Sequence, residues 1–226
     1  MKSEMKSEMK FKAIIFDLDG VICHTDKYHY QGWKAIADEL GIYFDETINN
    51  RLRGVSRMES FEIILERYSS TMSEEDKVKW AAKKNDIYVG LLQKLTSKDV
   101  TEEVINTLNS LKQSGLVLAI GSSSKNARTI LSQIGLSDYF DAISDGNNIS
   151  NSKPHPEVFL KAASYVGVEP GDCLVVEDAE SGVEAALAAG MEAAAIGDAV
   201  HCGKGNYNLN TFSDLLGVVL PTEPPT

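Results

Sequence analysis

From Val104 onward the chain alternates between helical and strand patterning, and this rhythm limits the possible folds more than any other feature. Val104, Leu108 and Leu111 recur at helical spacing up to Gly115. Leu116-Val-Leu-Ala-Ile120 is then a short apolar run, and Ser122-Ser-Ser124 opens a helix through Ile134 that Gly135 closes. Asp141-Ala-Ile143 reads as a short strand, Pro156 through Val166 as a helix and Cys173-Leu-Val-Val176 as a strand. Ala179 to Ala189 is a helix ended by Gly190, and Ala193-Ala-Ala-Ile196 a further strand. Runs that are apolar at every position belong to strands covered on both faces. Helices and such strands in turn make an α/β fold, a doubly wound parallel sheet with right-handed crossovers.

One strand of the same kind, Lys12-Ala-Ile-Ile-Phe16, stands alone near the start. Between it and the alternation the pattern is helical only. Tyr30, Trp33, Ile36, Ala37 and Leu40 share a helical face that Gly41 ends; Phe61, Ile64, Leu65 and Tyr68 form a second. Ser73-Glu-Glu-Asp76 caps a third, long stretch through Leu95, with its acidic residues in the first turn. The expected organisation is an α/β core of residues 10–24 and 95–218, with a helical insert of residues 25–94 lying as a lid over the first strand's carboxyl end. Residues 1–9, which repeat Met-Lys-Ser-Glu, and the Pro-rich residues 219–226 are expected to be disordered.

Polar residues gather where the strands end. Asp17-Leu-Asp19-Gly20 follows the first strand, and open α/β sheets bind ligands outside the carboxyl ends of their strands. Alternate strand residues share a face, so Asp17 and Asp19 start on one side before Gly20 turns the chain. Two crowded carboxylates repel unless a cation or a shared proton holds them; in isolation the pair is as readily an ordinary turn. Ser122 sits where a hydroxyl and free backbone N–H groups make an anion site, and also where a serine serves as a plain N-cap. Lys153, in Ser152-Lys153-Pro154, is either a solvated lysine or a compact charge set against the carboxylates. Glu177-Asp178 end the strand Cys173–Val176; an N-cap is one account, and hard oxygen ligands for Mg²⁺ beside Asp17 the other.

Composition excludes several classes. A formal charge of −11 and a pI near 4.8 argue against nucleic acid or an anionic membrane as partner. No apolar run is long enough to span a membrane, and the amino terminus lacks the apolar segment of a signal peptide. Cys23, Cys173 and Cys202 are scattered without metal-ligand spacing, as expected of reduced thiols in a cytoplasmic protein.

Asp-x-Asp-Gly, Ser, Lys-Pro and Glu-Asp, in that order at strand ends and crossovers, resemble the haloacid dehalogenase superfamily of phosphotransferases. The resemblance implies a Rossmann-like core with an α-helical cap and a phosphoaspartate formed on Asp17. It further implies that Ser122 and Lys153 bind the phosphoryl group, and that Mg²⁺ is held by Asp17, Glu177, Asp178 and the main-chain carbonyl of Asp19. Three cap features are similar to those of the β-phosphoglucomutases: Thr25-Asp-Lys-Tyr-His29 in the linker, Gly54-Val55-Ser56-Arg57 leading a helix with Ser60 in its first turn, and Lys84-Asn85 on the last cap helix. Singly, each is as readily a surface or linker residue.

Together they imply that Arg57 clamps the substrate's non-transferring phosphate, helped from the core by Ser124, Lys125 and Asn126, with Ser123 between. His29 and Lys84 would couple closure to the position of Asp19, the general acid and base, while Trp33 and Leu52 wall the sugar side. The implied reaction interconverts β-D-glucose 1-phosphate and glucose 6-phosphate through β-glucose 1,6-bisphosphate, in a monomer that acts on small sugar phosphates. A hexose-phosphate phosphatase with the same nucleophile is the nearest alternative, and a non-catalytic phosphate-binding or receiver-like domain a more distant one. Asp145-Gly-Asn-Asn148 matches nothing in the resemblance.

Overall fold

Strand β1 (Ala13–Phe16) lies at the centre of a six-stranded, all-parallel sheet, its four side chains fully buried. The computed structural model describes residues 9–220. The other strands are β2 (Val117–Gly121), β3 (Ala142–Ser144), β4 (Cys173–Glu177), β5 (Glu192–Ile196) and β6 (Tyr207–Leu209), in the order β3-β2-β1-β4-β5-β6. The order reverses at β1, so the crevice where such sheets bind ligands opens at its carboxyl end. Register fixes what meets there. Phe16 pairs with Ile120 on one side and Val176 on the other, so Asp17, Gly121 and Glu177 emerge level with one another.

Helices α1 (Asp26–Leu40), α2 (Glu46–Asn50), α3 (Arg57–Leu65) and α4 (Glu74–Leu92) form the insert between β1 and β2. The core helices are α5 (Glu102–Gln113), α6 (Ala127–Gln133), α7 (Glu157–Val166), α8 (Glu180–Ala188) and α9 (Leu215–Val219). Strand alternation divides the core between the two faces of the sheet. Ile14 and Phe16 pack with Leu108, Leu111, Ile130 and Leu215 on one face; Ala13 and Ile15 pack with Phe159, Val183 and Ala186 on the other. Phe16 lies against the rings of Phe140 and Phe212 at 6.2 and 5.8 Å, and its truncation to Ala costs about 3–5 kcal/mol. The cap has its own apolar centre, in which Trp33 and Phe61 stack at 5.7 Å beside Ile36 and Ile64.

Several boundaries differ from the sequence reading. Ser122 does not begin a helix: α6 starts at Ala127. The Ser122 hydroxyl accepts the N–H of Ser124 at 3.2 Å and the Ser124 hydroxyl that of Asn126 at 3.1 Å, which ties the stretch into successive hydroxyl turns. The third cap helix ends at Leu92, and α1 begins at Asp26, so His29 lies on a helix rather than in a linker. Helices α2 and α9 and strand β6 had no clear apolar period. Val219, in α9, is buried against the core. The Met-Lys-Ser-Glu repeat and Pro221–Thr226 lie outside the described residues.

Candidate active site

Level emergence from the sheet brings Asp17 and Glu177 together, and Lys153 closes the group from the loop before α7. Its Nζ donates to Asp17 Oδ1 at 2.6 Å and to Glu177 Oε1 at 2.5 Å, at 1% exposure. Burial alone would lower the lysine's pKa, but Asp17 and Glu177 outweigh it and hold the ammonium protonated, above its ordinary range. Glu177 Oε2 accepts the N–H of Ala179 at 3.0 Å. Burial still pushes Glu177 up to about 6 against the pull of Lys153. Asp178 is raised well above the carboxylate range by burial and by Glu177, Asp17 and Asp19, with Arg53 acting the other way.

Asp17, Glu177 and Asp178 each offer an oxygen within 4.8 Å of the others. Three carboxylates against one ammonium leave negative charge in excess, and an all-oxygen donor set of this kind fits a hard divalent cation. Two glycines make the approach possible. A Cβ on Gly20, whose φ is +91°, would lie 2.0 Å from Asp178 Oδ2, and one on Gly182 would lie 1.9 Å from Glu177 Oε1.

Asp19 is held apart from this wall by Thr25, whose N–H and hydroxyl donate to its two oxygens at 2.7 and 2.6 Å. Tyr88 of α4 lies 3.0 Å from the same hydroxyl. Burial and the charge of Asp26 raise Asp19 to about 7, against the hydrogen bonds from Thr25; a carboxyl that titrates near neutrality suits general acid and base work. His29 is held neutral by burial and by Lys84 and Arg57. Lys84 Nζ lies 2.9 Å from His29 Nδ1. When Lys84 carries its proton it only donates, so Nδ1 is then the acceptor and Nε2 carries the proton, 3.4 Å from Asp19 Oδ2. Burial also brings Lys84 down to about 7. Its ammonium lies over the rings of Tyr88 and Trp33 at 4.5 and 4.9 Å.

Between cap and core lies a cavity of about 540 Å³. Its core wall carries Asp17, Asp19, Ser122, Ser123, Ser124, Lys125, Asn126, Glu177 and Asp178. Its cap wall carries His29, Trp33, Leu52, Gly54, Val55, Ser56, Arg57, Ser60 and Lys84. Thr25 and Lys153 stand behind it, touching Asp19 and Asp17 respectively. Asn85 joins the walls, because its Oδ1 accepts from Arg57 Nη2 at 2.7 Å and from core Asn126 Nδ2 at 2.9 Å. Ser56 accepts the N–H of Glu59 and Glu59 returns a bond to the N–H of Ser56, a capping box that starts α3 and orients Arg57 at its first position.

The sequence reading assigned no role to Arg53, Tyr88 or Asp198. Arg53 immediately precedes the Gly54–Arg57 segment, but nothing local marks its distant partners. Asp145 and Asn147 bond to each other in a turn, with Asn147 also donating to the Lys125 carbonyl at 2.9 Å. Gly146 lines the cavity.

A family model of haloacid dehalogenase-like hydrolases matches residues 11–190. A β-phosphoglucomutase of Bacillus subtilis is 41% identical over 188 residues, covering 82% of this chain and 83% of the relative. A phosphorylated carbohydrates phosphatase of Thermotoga maritima is 31% identical over 182 residues, covering 80% and 82%. The crystal structure of a β-phosphoglucomutase from Clostridium difficile superposes with a TM-score of 0.86 at 39% identity, covering 91% of this chain and 93% of that one.

Proposed function

The chain belongs to the haloacid dehalogenase-like hydrolases, and from that premise we propose that it is a β-phosphoglucomutase, interconverting β-D-glucose 1-phosphate and glucose 6-phosphate. The observation that carries this reading is a single cavity lined both by Asp17 with its acidic neighbours, Lys153 standing behind them, and by Arg57, Lys125 and Asn126 from cap and core. A bisphosphate intermediate that must present either phosphate to the nucleophile needs two anion sites of this kind.

In the proposed reaction a carboxylate oxygen of Asp17 attacks the phosphorus of the bisphosphate. A P–O bond forms to Asp17 as the bond to the sugar oxygen breaks, and Asp19 gives that oxygen its proton. The acyl phosphate is then returned to the other sugar phosphate, whose attacking hydroxyl loses its proton to Asp19. Phosphoryl transfer depends chiefly on position and on neutralising the equatorial oxygens. Lys153 and Ser122 serve that end on the core side, while Arg57 holds the phosphate that is not reacting. Mg²⁺ is the proposed ion for Asp17, Glu177 and Asp178, with the Asp19 carbonyl; when bound it supplies positive charge at the transferring group. Cap residues keep water from the acyl phosphate, since hydrolysis would turn a mutase into a phosphatase.

Phosphatase activity on a hexose phosphate is the second reading, favoured by the names of the T. maritima relative and of an Escherichia coli fructose-1-phosphate phosphatase 29% identical over 184 residues. The deciding experiment supplies β-glucose 1-phosphate, Mg²⁺ and a trace of bisphosphate. Glucose 6-phosphate in large excess over free phosphate is expected; free phosphate as the main product would assign the chain to the phosphatases.

A further inference from the structure

Arg53 lies in the loop between α2 and α3, outside both helices. Its Nη2 donates to Asp26, at the start of α1. Nη1 donates to Asp198 Oδ2 at 2.9 Å, and the same nitrogen stands 3.5 Å from Asp178 Oδ2. Asp198 follows β5 and Asp178 follows β4, so one planar fork joins the inserted helices to two separate core loops. Nε is buried without a partner, whereas both terminal nitrogens are bonded to carboxylates. Two backbone contacts fall on the same short segment. Ser181 donates to the Arg53 carbonyl at 3.4 Å, and Ser123 donates to the Gly54 carbonyl at 3.2 Å. Among the described residues, Arg53 carries the arginine and lysine ion pairs that cross from the helical insert to the core. The Arg53 side chain is 27% exposed and that of Asp178 11%, so this contact is screened less than a surface pair would be, whereas Asp198 is 71% exposed and reaches Arg53 from the solvent side.

We propose that Arg53 is a positioning residue, a charged latch that holds the Arg53–Gly54 loop against the core and so limits the access of water to the Asp17 pocket. The consequence for phosphorylated Asp17 rests on the function proposed above; the latch itself does not. Asp198 is the partner that makes the assignment testable, because it belongs neither to the acidic wall nor to the cavity lining.

The test compares wild type with Arg53→Ala, Arg53→Lys, Asp198→Asn and the double variant Arg53→Ala/Asp198→Asn, each checked for folding by circular dichroism. Hydrogen–deuterium exchange of residues 52–58 reads the latch with no chemistry involved. Faster exchange is expected in Arg53→Ala and Asp198→Asn, with the double variant no faster than Arg53→Ala and the β1–β4 amides unchanged. Equal exchange in all variants overturns the latch, as do additive effects in the double variant. Should Arg53→Ala fail to fold, Asp198→Asn decides by the same exchange measurement.

Phosphorylation by acetyl phosphate then reads the consequence. Hydrolysis of the phosphoenzyme is expected to be about tenfold faster in Arg53→Ala, partly restored in Arg53→Lys. Unchanged hydrolysis with faster exchange refutes the water-exclusion role. A wild type that forms no phosphoenzyme refutes the proposed function instead, and the exchange data alone then decide the latch.

Discussion

Replacing Lys153 with Met tests the charge balance of the acidic wall. Met preserves most of the stem and removes an ammonium that is 1% exposed and bound to carboxylates at 2.6 and 2.5 Å. Hydrogen bonds to charged groups contribute about 1.5–3 kcal/mol each. Breaking a buried pair from one side costs about 3–5 kcal/mol, because the abandoned charge stays buried. The two estimates agree, and a loss of about 3–5 kcal/mol is expected at pH 8 in the presence of a chelator.

The loss should also depend on pH. Glu177 titrates near 6 rather than at its ordinary 4.5 because of burial, with Lys153 opposing the rise. Without Lys153 its pKa climbs further. A carboxyl whose folded pKa exceeds its unfolded one favours the fold at low pH, and that contribution is lost as pH rises through the folded value. Wild type therefore sheds this contribution between pH 4.5 and 6, whereas the variant goes on shedding it above that window. The difference between the two proteins is small at pH 5 and large at pH 8. Urea unfolding at both values measures it, and millimolar Mg²⁺ should restore part of the loss at pH 8 by supplying positive charge. A loss below about 1 kcal/mol, the scale of an exposed pair, refutes the reasoning; so does a loss that is equal at the two pH values.

Asp17→Asn should abolish acyl-phosphate formation with acetyl phosphate while the fold persists; a phosphate adduct seen by intact-mass spectrometry would contradict its role as nucleophile. Gly20→Ala should weaken divalent-cation binding in calorimetric titration, because its Cβ would fall 2.0 Å from Asp178 Oδ2 at a φ of +91°; undiminished affinity would remove Asp178 from the cation site. Arg57→Ala should leave phosphorylation by acetyl phosphate intact yet lower kcat/KM for the sugar phosphate by about 10- to 150-fold, the equivalent of 1.5–3 kcal/mol for a charge-assisted contact. Equal loss with both donors would take Arg57 out of the distal phosphate site.

The acidic wall was legible in the sequence because each member ends a strand or begins a crossover, and parallel register then leaves little freedom in how they meet. Asp17 and Glu177 are neighbours as soon as β1 and β4 pair. Lys153 was legible only as a candidate, since its burial depends on the path of a loop rather than on any local pattern. Arg53 and Asp198 are 145 residues apart, and neither lies in a periodic segment, so nothing in the chain announced their pairing. The misplaced start of α6 has a local cause. Serines at 122 and 124 cap turns as readily as they cap helices, and here each hydroxyl accepts an N–H two residues on. Strand β6 escaped notice because Tyr207-Asn-Leu209 is short and only its last residue is buried.

The central position of β1 also bears on how the molecule is made. Ala13 pairs with Val117 on one side and with Cys173 on the other, yet it leaves the ribosome before either neighbour and before the whole cap. Its apolar residues must wait unpaired through that interval, and pairing across so long a stretch is slow. The cap needs no such wait, since Trp33, Ile36, Phe61 and Ile64 come from one continuous segment. Once that segment condenses, its beginning meets its last helix: the hydroxyls of Thr25 and Tyr88 lie 3.0 Å apart. A long flexible connection between β1 and β2 thereby becomes a short one, and the entropy lost in joining the strands falls. The lid over the active site is, during synthesis, the clamp that delivers the first strand to its partner.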